Sequence, residues 1–213
     1  MADEPEFSLE RPTTSTRDRS AMRAGLEHWL RQRHPGGTGT TIVEFDAPSA
    51  NGMSSETVLL TVEWDNGGQR ERLVARLCPD AAAVPVFPTY DLEKQFRVMQ
   101  LVGERSPVPV PPMRWYEPSD EWVGAPFLVM GYIDGRVPPD VMPYVFGSWL
   151  TEATPEQRKA LQHATVRVLA DLHAIPTGTH TSFLEYPVDG ATPLRRHVED
   201  QRLLYEWVVA DGE

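Results

Sequence analysis

The sequence has few of the features that mark several classes of protein. Its single cysteine, Cys78, excludes an intrachain disulfide and suits a reducing compartment. No apolar run approaches the length of a membrane-spanning helix, and the polar, acidic N-terminus lacks the pattern of a signal peptide. The formal net charge is -11, which argues against nucleic acid and anionic membranes as main partners. Together these absences predict a cytoplasmic globular protein without nucleic-acid or membrane partners.

What the sequence does contain is a series of helical and strand-like patterns in a definite order. Apolar residues recur at helical spacing, β-branched residues mark strands, and Asp65-Asn66-Gly67-Gly68 is typical of a hairpin turn. The predicted elements are a helix at 20–34, strands at 41–45, 57–64 and 72–78, a helix at 90–104, strands at 113–116 and 126–133, and helices at 154–173 and 193–209. This order predicts an α+β fold with a five-stranded antiparallel sheet, one inserted helix and a helical region after it.

The character of the sequence changes twice along the chain. Residues 1–19 are rich in Thr, Ser, Glu and Pro, which predicts a flexible leader. The sheet-rich part at 20–133 is predicted to form a small lobe. Residues 134–213 are predicted to belong to a separate, helical lobe.

Two segments of the small lobe carry groups suited to phosphate. Gly52, Met53, Ser54 and Ser55 lie between the first two strands, where the backbone N–H groups of a tight turn can cap nucleotide phosphates. Arg76, in Val-Ala-Arg on the third strand, has a guanidinium that can neutralise phosphate. Taken alone, the first segment is more often an ordinary turn, and the second is equally typical of an exposed strand arginine.

Three further segments complete the pattern. They are the helix at 90–104, the hinge-like stretch at 124–135 preceded by Val-Pro-Val-Pro, and the helix end Leu-Ala-Asp-Leu-His at 169–173. The five segments together resemble the aminoglycoside phosphotransferase family, which has a protein-kinase-like fold; they occur in the family's order and span residues 42–176. The Val-Ala-Arg and Pro-Val-Phe-Pro-Thr-Tyr segments are most similar to an actinobacterial branch of the family.

The resemblance implies roles for the residues on the phosphate side of the site. The turn at 52–55 would position the phosphates of ATP, and Arg76 stands where most relatives have lysine. Gln95 stands where the family's helix carries the Glu that pairs with that lysine. An adapted Arg76–Gln95 contact and weakened nucleotide binding are both compatible with this change.

The resemblance also implies an adenine side. Met130 would line the adenine pocket, and the Gly131 carbonyl and Ile133 N–H would pair with the adenine edge, since a backbone supplies donors and acceptors at fixed spacing. Mg²⁺ would accompany ATP, with its ligands expected in a part of the family fold that this chain does not match. The acceptor would be a hydroxyl group of a small molecule that the sequence does not identify.

The family's catalytic loop, His/Trp-Gly-Asp-x-x-x-x-Asn, has no match in the sequence. The nearest candidates, Asp171-Leu172-His173 and the stretch from His197 to Asp200, fall inside predicted helices. That loop orients the acceptor and helps hold Mg²⁺, so we expect no catalytic or metal-binding residue and no phosphate transfer by these residues alone.

The missing loop leaves two interpretations of the whole chain. We predict an ATP-dependent phosphotransferase with a truncated large lobe, and the alternative is a non-catalytic nucleotide-binding or pseudokinase module. An incomplete large lobe would leave the apolar faces of the helices at 154–173 and 193–209 uncovered, which favours self-association.

Overall fold

The computed structural model describes residues 15–34, 39–47, 55–80, 86–138 and 144–210. In chain order its elements are α1 (Arg19–Arg33), β1 (Thr41–Asp46), β2 (Glu56–Glu63), β3 (Arg70–Leu77), α2 (Leu92–Arg105), β4 (Met113–Glu117), β5 (Phe127–Gly131), α3 (Trp149–Glu152), α4 (Pro155–His173), a 3₁₀ helix (Thr179–Leu184) and α5 (Pro193–Ala210). Each predicted helix and strand is present, with ends that differ by a few residues. The short α3 and the 3₁₀ helix were not predicted.

The five strands form one antiparallel sheet in the order β1-β2-β3-β5-β4, which confirms the predicted fold class. The β2–β3 hairpin turns where the sequence predicts, with positive φ at Asp65, Asn66 and Gly67. Strand β3 lies at the centre of the sheet, between β2 and β5. Any group that β3 carries near its end is therefore held on both sides by strand pairing.

Helix α1 covers one face of the sheet. Asp18 caps its N-terminus by accepting the Ala21 N–H at 2.8 Å. The Trp29 ring lies edge-on against Trp115 and Phe127, with centroid distances of 5.7 and 4.9 Å. The helix residues buried in this core are Met22, Leu26, Trp29 and Leu30, and the strand residues packed with them include Val58, Leu60, Val62, Leu73, Ala75 and Leu77.

A buried carboxylate joins α1 to β4. Glu117 Oε2 accepts from Trp29 Nε1 at 2.7 Å and from Arg33 at 2.6 Å, and Oε1 accepts from the Ser119 N–H at 3.0 Å. Burial by itself would raise the pKa of Glu117, but the hydrogen bonds from Trp29, Ser119 and Arg33 outweigh it and hold that pKa below its usual value. The carboxylate is therefore ionised and fully bonded at neutral pH.

The described end of the predicted leader contacts the sheet. Arg17 donates to Glu56 Oε2 at 2.6 Å and to the Cys78 carbonyl at 3.1 Å, and Thr16 hydrogen-bonds Asp80. The side chains of Arg17 and Glu56 are only 13% and 7% exposed. This ion pair therefore fastens the segment before α1 to the ends of β2 and β3. Residues 1–14 of the predicted leader lie outside the described residues.

The helical part is packed much less tightly than the sheet. Within the part of the chain that the structure describes, α4 and α5 bury no side chain, and Val166, Leu169, Leu203 and Val208 are more than half exposed. A cavity of about 600 Å³ separates α2 from the turn after α4 and the start of α5, and Val102, Leu172 and Arg196 are among its lining residues. No described helix is long and apolar enough to cross a membrane.

Candidate nucleotide-binding site

The guanidinium of Arg76 is the charged centre of the candidate site. Its Nη2 and Nε donate to Ser55 Oγ at 2.7 and 3.2 Å, and Ser55 is 5% exposed. Burial lowers the pKa of Arg76, because the partly buried cation has lost some of its hydration. Within the described residues this cation has no carboxylate partner. A partly desolvated cation that is bonded only to a neutral hydroxyl is suited to an anionic ligand.

Strand register places Arg76 and Met130 on the same face of the sheet. Arg76 pairs with Leu128, and Val74 pairs with Met130. Side chains two residues apart point to the same face, so Arg76 and Val74 lie beside Leu128 and Met130. This is the face opposite α1, because Leu73, Ala75 and Leu77 fill the core beneath that helix. Arg76, predicted on the phosphate side, and Met130, predicted on the adenine side, therefore line one surface.

At the end of β5 the backbone has the polarity that the predicted adenine contact requires. The Gly131 N–H donates to the Pro112 carbonyl at 2.9 Å, and the Tyr132 N–H donates to the Arg72 carbonyl at 3.0 Å on the opposite edge. Successive residues of an extended chain direct their backbone groups to alternate edges, so the Gly131 carbonyl and the Ile133 N–H face the edge away from β3.

Pro112 keeps the Gly131 carbonyl available at that edge. An antiparallel pair normally exchanges two hydrogen bonds, but proline has no N–H to return the second one. Among the described residues the Ile133 N–H also has no hydrogen-bond partner. A Cβ on residue 131 would lie 2.7 Å from Pro112 Cγ, so the close approach of the two segments depends on glycine. The effect of Pro112 was not predicted from the sequence, although the position of this proline before β4 could have indicated it.

Of the other residues predicted to lie on the phosphate side, only Gln95 and Ser55 are among the described residues. Gln95 is half-buried in α2, but in the described structure the hydrogen bonds of Arg76 go to Ser55 and not to Gln95. Gly52, Met53 and Ser54 lie outside the described residues. Ser55, the last residue of the predicted turn, is therefore the part of that turn which is seen to contact the candidate site.

No described group of His, Cys, Asp and Glu is arranged to hold a metal ion. Asp171 and His173 lie in α4, and His197 and Asp200 lie in α5, so neither candidate for a catalytic loop adopts a loop. His197 Nδ1 instead lies 2.7 Å from the Tyr186 hydroxyl. Among the described residues, neither candidate segment therefore supplies a loop that could activate an acceptor.

Comparison with known proteins bears on the family and the fold of this chain. The profile of the phosphotransferase enzyme family matches residues 47–209. The probable acyl-CoA dehydrogenase IBR3 of Arabidopsis thaliana is 28% identical over 124 residues, which are 58% of this chain and 14% of the plant protein. A crystal structure from Ralstonia eutropha JMP134, of a protein whose proposed identity is an aminoglycoside phosphotransferase, superposes with a TM-score of 0.55 and 22% identity, over 86% of this chain and 46% of that one.

These comparisons differ in what they establish. The likeness to the solved structure confirms the predicted kinase-like fold. The profile covers most of the chain and confirms the predicted family. The chain spans less than half the length of each of the two relatives.

Proposed function

Because the chain belongs to the phosphotransferase enzyme family, we propose that its sheet and hinge bind ATP for transfer to a hydroxyl of a small molecule. The observation that carries this proposal is Arg76, a partly buried cation without a carboxylate partner among the described residues, on the same sheet face as Met130. The α- and β-phosphates would lie near Arg76 and Ser55. The adenine would lie against Met130, with its edge at the Gly131 carbonyl and Ile133 N–H.

Mg²⁺ would enter with ATP and would supply positive charge that neutralises the phosphates. The described residues contain no carboxylate cluster to complete its coordination. The 213 residues also contain no Gly-Asp-x-x-x-x-Asn segment to orient an acceptor. We therefore propose that binding resides in this chain, while acceptor activation needs the remainder of the family's large lobe.

We expect ATP and ADP to raise the melting temperature of this chain, because a ligand that binds only the folded state stabilises it by RT ln(1 + [L]/Kd). Arg76→Met should weaken ATP binding about tenfold or more, since a charge-assisted contact to phosphate is lost. Thermal melting across a nucleotide titration, with and without Mg²⁺, measures both effects.

The matched control is Arg70→Met. Arg70 is an exposed cation on the same strand, and it pairs with Glu63. Its nucleotide-dependent shift should equal that of the unmodified chain. A well-folded sample that shows no shift with any nucleotide would contradict the proposal, and so would equal shifts for Arg76→Met and the unmodified chain.

The absent catalytic loop favours a second candidate, a nucleotide-binding module that transfers no phosphate. The two candidates share the binding surface and differ in turnover. Incubation with γ-labelled ATP, Mg²⁺ and a panel of hydroxyl compounds separates them, provided that the assay includes a longer polypeptide carrying a Gly-Asp-x-x-x-x-Asn segment. Transfer by that longer protein supports the enzyme, and binding without transfer supports the module.

We also expect this chain on its own to self-associate through the exposed apolar residues of α4 and α5. Light scattering after gel filtration should give a mass above that of a monomer. Leu169→Gln combined with Leu203→Gln should shift the distribution toward monomer, whereas Arg167→Gln, a polar change on α4, should not. A monodisperse monomer with a cooperative melt would contradict this expectation.

A further inference from the structure

One residue of β3 holds the hinge through three separate contacts. The Arg72 carbonyl accepts the Tyr132 N–H at 3.0 Å. The guanidinium carbon of Arg72 lies 3.6 Å from the centroid of the Tyr132 ring, a short cation–π distance. Its Nη1 donates to Asp134 Oδ1 at 2.8 Å. Arg72 therefore holds both the backbone and the side chain of Tyr132, and it also holds the residue two positions further along.

Ile133 lies between the two residues that Arg72 holds. Its own side chain is 52% exposed, so packing does little to fix its orientation. Among the described residues its N–H donates no hydrogen bond. The direction of that N–H is consequently set by Tyr132 on one side and Asp134 on the other.

The positive charge of Arg72 is paired with the carboxylate of Asp134. The hydrogen bond to Asp134 raises the pKa of Arg72, so the guanidinium keeps its positive charge throughout the working range of pH. Arg76, four residues along the same strand and on the same face, has no carboxylate partner among the described residues. The two arginines thus differ in kind, since one is available to an anion and the other is paired within the hinge.

We propose that Arg72 is a positioning residue for the adenine side of the site, holding Tyr132 and Asp134 so that the Gly131 carbonyl and Ile133 N–H face the base together. This role rests on the proposed nucleotide-binding function. It predicts that substitution of Arg72 weakens binding of the base, whereas substitution of Arg76 weakens binding of the phosphates.

The test compares ATP with adenosine, which carries the base without phosphates. Arg72→Ala should weaken both ligands by the same factor of about three to ten, because the lost contacts are one exposed charge pair and one cation–π contact. Arg76→Met should weaken ATP and leave adenosine unchanged. Arg72→Lys should recover part of the loss, since it keeps the cation but not the planar fork. Dissociation constants from calorimetry for ATP and ligand-observed NMR for adenosine provide these factors.

A second measurement follows the backbone mobility of the hinge in the absence of any ligand. Hydrogen exchange of the backbone amides at 131–135 should be about three- to tenfold faster in Arg72→Ala than in the unmodified chain. The control Arg70→Ala, which breaks an exposed ion pair with Glu63 two positions before Arg72, should leave both exchange and binding unchanged.

The outcomes separate the two proposals. If the unmodified chain binds ATP and Arg72→Ala binds ATP and adenosine with unchanged constants and unchanged hinge exchange, the positioning role is wrong and the proposed function stands. A loss for ATP alone would make Arg72 a phosphate contact and would also overturn the positioning role. If the folded, unmodified chain binds neither ligand, the proposed function fails and the role of Arg72 in base recognition fails with it.

Discussion

Arg17→Ala is expected to lower the free energy of unfolding by about 3–5 kcal/mol, because it leaves the carboxylate of Glu56 buried without its partner. Glu56 is 5% exposed at the start of β2, next to Ser55. The substitution also removes the donor to the Cys78 carbonyl. Since small domains are stable by only about 5–15 kcal/mol, urea unfolding followed by circular dichroism should show a large fall in the midpoint.

The matched control is Arg19→Ala, two residues along the chain. Arg19 pairs with Asp46 at 3.9 Å, and both side chains are more than 60% exposed. An exposed pair contributes little, so the loss should be about 1 kcal/mol or less. Equal losses for the two variants would contradict the buried-pair interpretation.

A double variant tests the cause of the loss at Arg17. Arg17→Met with Glu56→Leu removes both charges and keeps apolar volume, so it should recover much of the stability that Arg17→Ala loses. Failure of Glu56→Leu to restore stability in the Arg17→Met background would show that an unpaired carboxylate is not the source of the damage.

The sheet could be predicted because its signals are local. Thr57 to Trp64 alternates in burial as a strand should, and Asp65-Asn66-Gly67 supplies the positive φ angles of the hairpin turn. The short α3 helix and the 3₁₀ helix were missed because four to six residues do not establish a period. Strand ends shifted by a residue or two because pairing with neighbouring strands decides them.

The site could be predicted only in part, because its contacts are long-range. Sequence spacing places Arg76 on a strand and Gln95 on a helix, but it does not determine how that helix sits against the sheet. Ser55 is the observed partner of Arg76 because the β2–β3 register brings the two residues to neighbouring positions. The Arg72–Asp134 pair spans 62 residues, and no local pattern selects it from the many charges of the chain.

A second prediction of large effect concerns the stability contributed by Trp29, which lies in the core. Trp29→Ala should lower the free energy of unfolding by about 3–5 kcal/mol, because the ring is fully buried against Trp115 and Phe127 and a cavity would replace it. Trp122→Ala is the control, since that ring is only partly buried and packs against His28. Its loss should be smaller. Circular dichroism is the appropriate probe, because both variants remove a fluorophore.

Trp29→Phe keeps an aromatic ring but removes the indole N–H that donates to Glu117. It should cost about 1–3 kcal/mol, since a ring remains but the carboxylate loses a buried donor. In the unmodified chain the folded-state pKa of Glu117 lies below its unfolded value of about 4.3, so its stabilisation is complete above that pH and is lost as pH falls through the folded-state pKa. Losing the Trp29 donor raises that folded-state pKa, so the acid-dependent loss of stability should be smaller in Trp29→Phe. Unfolding free energies at pH 7 and pH 3 measure this difference, and an unchanged pH dependence would show that the Trp29 donor does not control the ionisation of Glu117.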